Sequence, residues 1–138
     1  MPVSRVLTAI LSDRLAETRD FYVRLLGFKV TFDSDFFIEL VSTANSYAQL
    51  GIWRRDHDLV PENFRERPQG IVISFAVDDV DAILLVAEGS RLKIVQAMRN
   101  ESYGQRHFMT VDPNGLLLDV TSPIPMSQEF MATHSVAG

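Results

Sequence analysis

The sequence predicts an α+β fold made of two βαβββ modules, and three observations carry the prediction. First, a strand-like run, an aspartate, an amphipathic stretch and a closing glycine occur twice in the same order. Asp13 and Asp79 stand 66 residues apart and Gly27 and Gly89 stand 62 apart, so the second helix is about one turn shorter. Second, each occurrence is followed by further short runs rich in β-branched and aromatic residues, three per module. Third, Asp112-Pro113-Asn114-Gly115 separates two such runs and supplies turn chemistry: proline presets φ, asparagine tolerates the left-handed region and glycine enters it freely. A hairpin is the economical reading of residues 106–121.

Residues 3–11 (VSRVLTAIL) are dense in β-branched residues and leucine, which suits a strand with at least one buried face. Ser12 and Asp13 end it. Asp13 is the expected N-cap of a helix with Leu15, Thr18, Tyr22, Leu25 and Leu26 on its inner face, and Gly27 is its left-handed stop. Strands are expected over 28–32, 36–41 and 47–53, separated by Asp33-Ser34-Asp35 and a loop at 42–46. Residues 54–70 are charged, contain two prolines and show no sustained period, which marks a connector. The pattern then restarts with a strand over 71–77, a cap at Asp78-Asp79 and a helix whose inner face is Val80, Ile83, Leu84 and Ala87. Gly89 ends that helix, a strand follows at 92–97, and a loop holds Asn100, Glu101, Ser102 and Gly104. The expected organisation is a single domain over 1–138: a first module at 3–53, the connector at 54–70, a second module at 71–121, and a tail at 122–138 whose end is mobile.

Composition excludes several chemistries. With no cysteine there is no disulfide, no thiolate nucleophile and no cysteine metal site. A net charge of -5 argues against nucleic-acid binding, which needs a positive footprint. No apolar run approaches the length that crosses a bilayer, and the first eleven residues lack a basic start followed by a long apolar region and a cleavage site. A cytoplasmic protein without membrane association is expected.

A few residues carry possible chemistry. Asp119 interrupts an apolar strand between Leu118 and Val120; it is a solvated residue, a partner of Arg106 across the hairpin, or the floor of a site. His107 reads either as a general base or metal ligand beside Asp119, or as a half-buried hydrogen bonder. His57, between Asp56 and Asp58, is expected to be exposed, and His134 belongs to the tail.

Three segments together resemble the vicinal oxygen chelate superfamily, which includes glyoxalase I, extradiol dioxygenases, fosfomycin-resistance enzymes and bleomycin-resistance proteins. They are the helix-to-strand segment FYVRLLGF from Phe21, the strand-to-helix segment FAVDDVDA from Phe75, and YGQRHF from Tyr103 followed by Asp112-Pro113-Asn114-Gly115. The resemblance implies that each sheet curls into a half-barrel, with helices outside and a ligand cleft inside. Members commonly hold a divalent metal there through the first and last strand of each module. Counting seven residues back from Asp13 and Asp79 places Val6 and Val72 at the first-strand positions; counting on from the turn places Asp119 at the position where glutamate is usual, and Gln49 falls at the fourth. Valine has no lone pair, and one carboxylate with one amide falls short of the usual donor set. The resemblance is therefore to the metal-poor, bleomycin-resistance-like branch, with no metal and no cofactor expected.

Strand alternation extends this set. If Val6, Gln49, Val72 and Asp119 face the cleft, so do Thr8, Ile10, Phe37, Glu39, Gly51, Trp53, Ser74 and Leu117, while Leu7, Ala9, Leu50, Ile52, Ile73, Phe75, Leu116 and Leu118 face the helices. The candidate ligand-binding residues are Phe37, Glu39, Gln49, Trp53, Ser74, Tyr103, Arg106, His107 and Asp119. Trp53 offers stacking and a cation–π contact. The leading expectation is a homodimeric, metal-free protein that sequesters an aromatic or cationic small molecule. The alternative is a metal-dependent lyase, isomerase or dioxygenase with displaced ligands drawn from His107, Asp119 and Glu39. A third reading is a metal-free enzyme using Asp119 or His107 for acid–base work.

Overall fold

The computed structural model describes residues 1–134, which group into two compact units. One comprises Met1–Ile71 with Asp112–Leu116; the other comprises Val72–Val111 with the chain from Leu117 onward. The expected α+β architecture of two βαβββ modules is present, each built on an open four-stranded mixed sheet.

In the first unit, β1 (Thr8–Ser12), α1 (Leu15–Leu26), β2 (Phe28–Asp33), β3 (Phe37–Ser42) and β4 (Gln49–Arg54) form a sheet of order β1-β4-β3-β2. β1 runs parallel to β4 and the other pairs are antiparallel. Ile10, Ile38, Leu40, Leu50 and Ile52 are buried on the side where α1 packs, with Tyr22, Leu25 and Phe28. A single turn of 3-10 helix, Glu62–Phe64, follows in the charged stretch, where Val60 is buried.

Strand β1 corrects two expectations. Residues 3–7 lie outside the ladder, because β1 pairs only with β4 and its register starts at Thr8 opposite Leu50. The N-cap of α1 is Arg14, not Asp13; the Ser12 hydroxyl accepts the Arg14 N–H at 2.9 Å, while Asp13 turns to Arg14 and Arg55. The count of seven from the true cap ends at Leu7 rather than Val6. Correspondingly, Ile10 and Ser12 are in the core, so the open face of β1 presents Ala9 and Leu11, the reverse of the expected alternation. His57 also departs from expectation: its ring stacks on Phe36 at 4.5 Å.

Gly27 closes α1 at φ 70°, in the left-handed conformation the sequence implied. Asp112 to Leu116 form a turn in which Asp112, Asn114 and Leu116 are buried. Asp112 Oδ1 accepts the backbone N–H groups of Asn114 and Leu116 at 2.7 and 3.0 Å, and Gly115 takes φ 83°. Asn114 then accepts from the Ser12 hydroxyl at 2.6 Å and donates to Thr18 at 3.1 Å. These turn residues thus satisfy polar groups under α1 as well as reversing the chain.

The second unit contains β5 (Val72–Ala76), α2 (Val80–Gly89), β6 (Ile94–Glu101), β7 (Gln105–Val111), β8 (Leu117–Pro123) and α3 (Gln128–His134). Its sheet order is β5-β8-β7-β6, with β5 parallel to β8. Asp79 caps α2 by accepting the Ala82 N–H at 3.1 Å. Gly89 is the last helical residue, and the left-handed position falls later, on Arg91 at φ 56°. Strand β6 is longer than expected and reaches Glu101, with register shifts on the way that bend it along the edge of the sheet. Part of the tail is the short helix α3, on which the rings of His134 and Phe130 stack. The expected mobility of the tail's end concerns residues 135–138, outside the described range.

Candidate functional site

Two open sheet faces gather the residues of interest, one in each unit. On the first, register fixes the neighbours: Phe37 stands opposite Trp53, Glu39 opposite Gly51 and Val41 opposite Gln49. Phe37 also stacks on Phe32 at 4.6 Å with the rings 11° from parallel. Gly51 leaves space that Leu7 and Trp53 fill; a Cβ there would meet Leu7 Cδ2 at 3.0 Å and Trp53 Nε1 at 3.1 Å. The result is an aromatic and aliphatic surface with Glu39 in it. Gln49 lies at its end, accepting from Arg5 at 2.7 Å and donating to the Ser46 carbonyl at 2.9 Å. Gln49, Arg5 and Ser46 line an open groove of about 510 Å³ with Ser4, Val6 and Tyr47.

The second face holds a continuous polar chain across all four strands of its sheet. Ser74 Oγ donates to Asp119 Oδ2 at 2.7 Å; Asp119 Oδ1 lies 2.6 Å from His107 Nδ1; His107 Nε2 lies 2.8 Å from Glu101 Oε2. Arg99 Nε adds a bond of 2.7 Å to the same Glu101 oxygen. His107 is 2 % exposed and Asp119 is 7 % exposed. A carboxylate accepts and does not donate, so two carboxylates facing the two nitrogens favour the doubly protonated ring. Burial works against that charge, but the bonds to Glu101 and Asp119 outweigh it and hold the His107 pKa above its usual value. Glu101 is held below its usual value by His107 first and Arg99 second. Tyr103 sits in the adjoining turn, its phenol pushed up by partial burial and by the charges of Glu101 and Asp119, and its ring is 6.1 Å from that of Phe130.

Of the residues the sequence singled out, Ser74, His107 and Asp119 come together in one hydrogen-bonded chain with Tyr103 close by, and Phe37, Glu39, Gln49 and Trp53 share the face of the first unit. Arg106 does not join either group. It points to the helix side of the second sheet, where it binds both oxygens of Asp81 at 2.7 and 3.1 Å and Asn100 at 3.0 Å, so it is not the partner of Asp119. Adjacent strand residues face opposite ways, and His107 takes the open side. Glu101 and Arg99 escaped the sequence reading because the strand seemed to stop at 97. The signal for them was the short turn at 102–104, which puts Glu101 opposite Gln105 and one strand step from His107.

The donor set does not suit a divalent metal. Val72 offers no lone pair, both ring nitrogens of His107 are taken up by Asp119 and Glu101, and both oxygens of Asp119 are engaged. Glu101 and Asp119 stand at opposite edges of the ring, too spread to close on one ion with it. Among the described residues no group of three or more histidine or acidic side chains is arranged to hold a metal ion.

Comparison with known proteins agrees with this architecture. A structure described as a glyoxalase/bleomycin resistance protein/dioxygenase family enzyme, from Burkholderia phytofirmans PsJN, superposes with a TM-score of 0.73 at 17% identity, covering 86% of this chain and 97% of its own. TioX from Micromonospora sp. ML1 gives a TM-score of 0.68 at 18% identity, covering 88% and 100%. TnmS3, an antibiotic binding protein from Streptomyces sp. CB03234, gives 0.69 at 22% identity, covering 89% and 98%. At these identities the likeness speaks for the fold alone. No curated protein matches the chain in sequence. The family model of the Glyoxalase/Bleomycin resistance protein/Dioxygenase superfamily matches residues 5–120, and the chain therefore belongs to that superfamily.

Proposed function

We propose that the chain is a small-molecule-binding protein that captures an aromatic compound without a metal. The observation that carries this reading is the state of Asp119. At the position where its superfamily keeps an acidic metal ligand, the carboxylate is held by His107 and Ser74. The stacked Phe32 and Phe37 with Trp53 supply the other half of the argument, an apolar surface suited to a planar ring. TnmS3, described as an antibiotic binding protein, shares the fold, which is consistent with a capture role. Among the described residues no helix is long and apolar enough to cross a membrane. We place the protein in the cytoplasm as a homodimer.

The test is direct. Protein purified without chelator is analysed for metal, titrated with an aromatic ligand panel while Trp53 fluorescence is followed, and weighed in solution. The reading expects no stoichiometric metal, saturable binding and a dimeric mass. Stoichiometric zinc, manganese, nickel or iron would overturn the metal-free reading in favour of a metal-dependent lyase, isomerase or dioxygenase.

A further inference from the structure

We infer that the open face of the second unit's sheet takes a neutral, hydroxyl-bearing part of the ligand, and that His107 sets this preference by cancelling the charge of Asp119. The inference rests on the binding reading above and narrows it from aromatic compounds in general to uncharged ones at this face.

The first argument is electrostatic. Asp119 and Glu101 are two carboxylates; the doubly bonded His107 ring and Arg99 are two cations in direct contact with them. The four formal charges cancel. Gln96 also faces the ring, its amide nitrogen 3.4 Å from Nε2, and it brings no charge. An ammonium group arriving here would give up its hydration with no uncompensated carboxylate to replace it. A neutral group avoids that cost.

The second argument concerns hydrogen bonding. Ser74 spends its proton on Asp119 and keeps lone pairs free to accept. Thr121 is the cross-strand partner of His107 and shares its face, and it is 6 % exposed. Its Oγ1 is a buried side-chain atom without a hydrogen-bond partner among the described residues. Buried hydroxyls are nearly always bonded, so this one is a vacancy in an otherwise satisfied network. A ligand hydroxyl both donates and accepts, which answers Ser74 and Thr121 together. Val72, Met109 and Leu117 flank them on the same face and offer apolar contact for the ring that carries it.

Naphthylmethanol and naphthylmethylammonium, which share a ring and differ in the charged group, are the probes. Binding is followed by backbone-amide chemical shifts of β5 and β8. The wild-type protein is expected to bind the alcohol more tightly by roughly three-fold or more, the size of one partly exposed charge contact. His107→Gln is expected to reverse the order, because Asp119 and Glu101 lose their shared cation. Thr121→Val is expected to weaken the alcohol by a similar factor and leave the ammonium unchanged. Tighter ammonium binding by the wild type, or an order that His107→Gln leaves as it was, overturns the inference while the capture reading stands. Aromatic binding that leaves β5 and β8 unperturbed does the same. If neither probe nor any aromatic ligand binds, both readings fall. Ring-nitrogen shifts give an independent check even where His107→Gln does not fold: both nitrogens of His107 are expected to be protonated at about neutral pH, and a neutral ring overturns the proposal.

Discussion

The Tyr22 hydroxyl donates a 2.8 Å hydrogen bond to Asp112 Oδ2, joining helix α1 to a turn ninety residues later in the chain. Both groups are buried, and the phenol is pushed above its ordinary pKa by burial and by the Asp112 charge, which favours the protonated, donating form. Tyr22→Phe removes one bond but leaves Asp112 its bonds from Asn114 and Leu116. The expected loss is about 1–2 kcal/mol, read as a lower denaturant midpoint with an unchanged slope.

His107 predicts how stability varies with pH. The folded chain binds the ring's proton more tightly than the unfolded chain does. The ion pairs with Glu101 and Asp119 therefore contribute fully below the ordinary histidine value of 6.5, and their contribution is lost as pH rises through the raised folded value. Glu101 acts in the opposite direction. Its contribution is present above its ordinary value of 4.5 and is lost as pH falls through the lowered one. The Tyr103 phenol, held above its ordinary value, keeps its proton across that window. Denaturation midpoints are expected to fall on the alkaline side of 6.5 in the wild type and to stay flat there in His107→Gln.

Gly51 tests the packing of the aromatic face. An alanine Cβ would press on Leu7 Cδ2 and Trp53 Nε1, both on side chains that can give by a few tenths of an ångström. Gly51→Ala is expected to cost about 1–3 kcal/mol and to shift the emission of Trp53, the only tryptophan. An unchanged emission spectrum would show that Trp53 does not lie over this glycine.

Trp53 and Arg106 make a contrasting pair. Trp53→Ala is expected to weaken an aromatic ligand by about 0.5–1.5 kcal/mol, measured calorimetrically. Arg106→Ala removes the contacts to Asp81 and Asn100 on the helix side and is expected to leave ligand affinity unaltered. A loss of binding in the Arg106 variant would contradict the facing assigned to β7.

The match between sequence and structure varies with the range of the interactions involved. Gly27, Asp79 and the Asp112-Pro113-Asn114-Gly115 turn were legible because capping and turn formation depend on neighbouring residues, where backbone sterics act. Asp13 looked like a cap by residue type, yet a serine hydroxyl one position earlier captured the N–H. That one-residue slip turned the whole of β1 over, since strand side chains repeat every second residue. Glu101 was hidden by a strand end placed four residues too early, at an edge where only pairing with β7 defines the limit.

By itself the sequence determined the two βαβββ modules, the superfamily resemblance and the importance of Asp119, because hydrophobic period, turn chemistry and a carboxylate in an apolar strand are all local patterns. Tertiary structure alone decided what Asp119 does. Ser74 and His107 reach it from two other strands, with Glu101 joined through His107 from a third, and strand pairing, which brings together residues as far apart as 74 and 119, is set by the sheet and not by neighbours in the chain. The carboxylate that looked like the remnant of a metal site is, in the folded chain, bonded to His107 and Ser74.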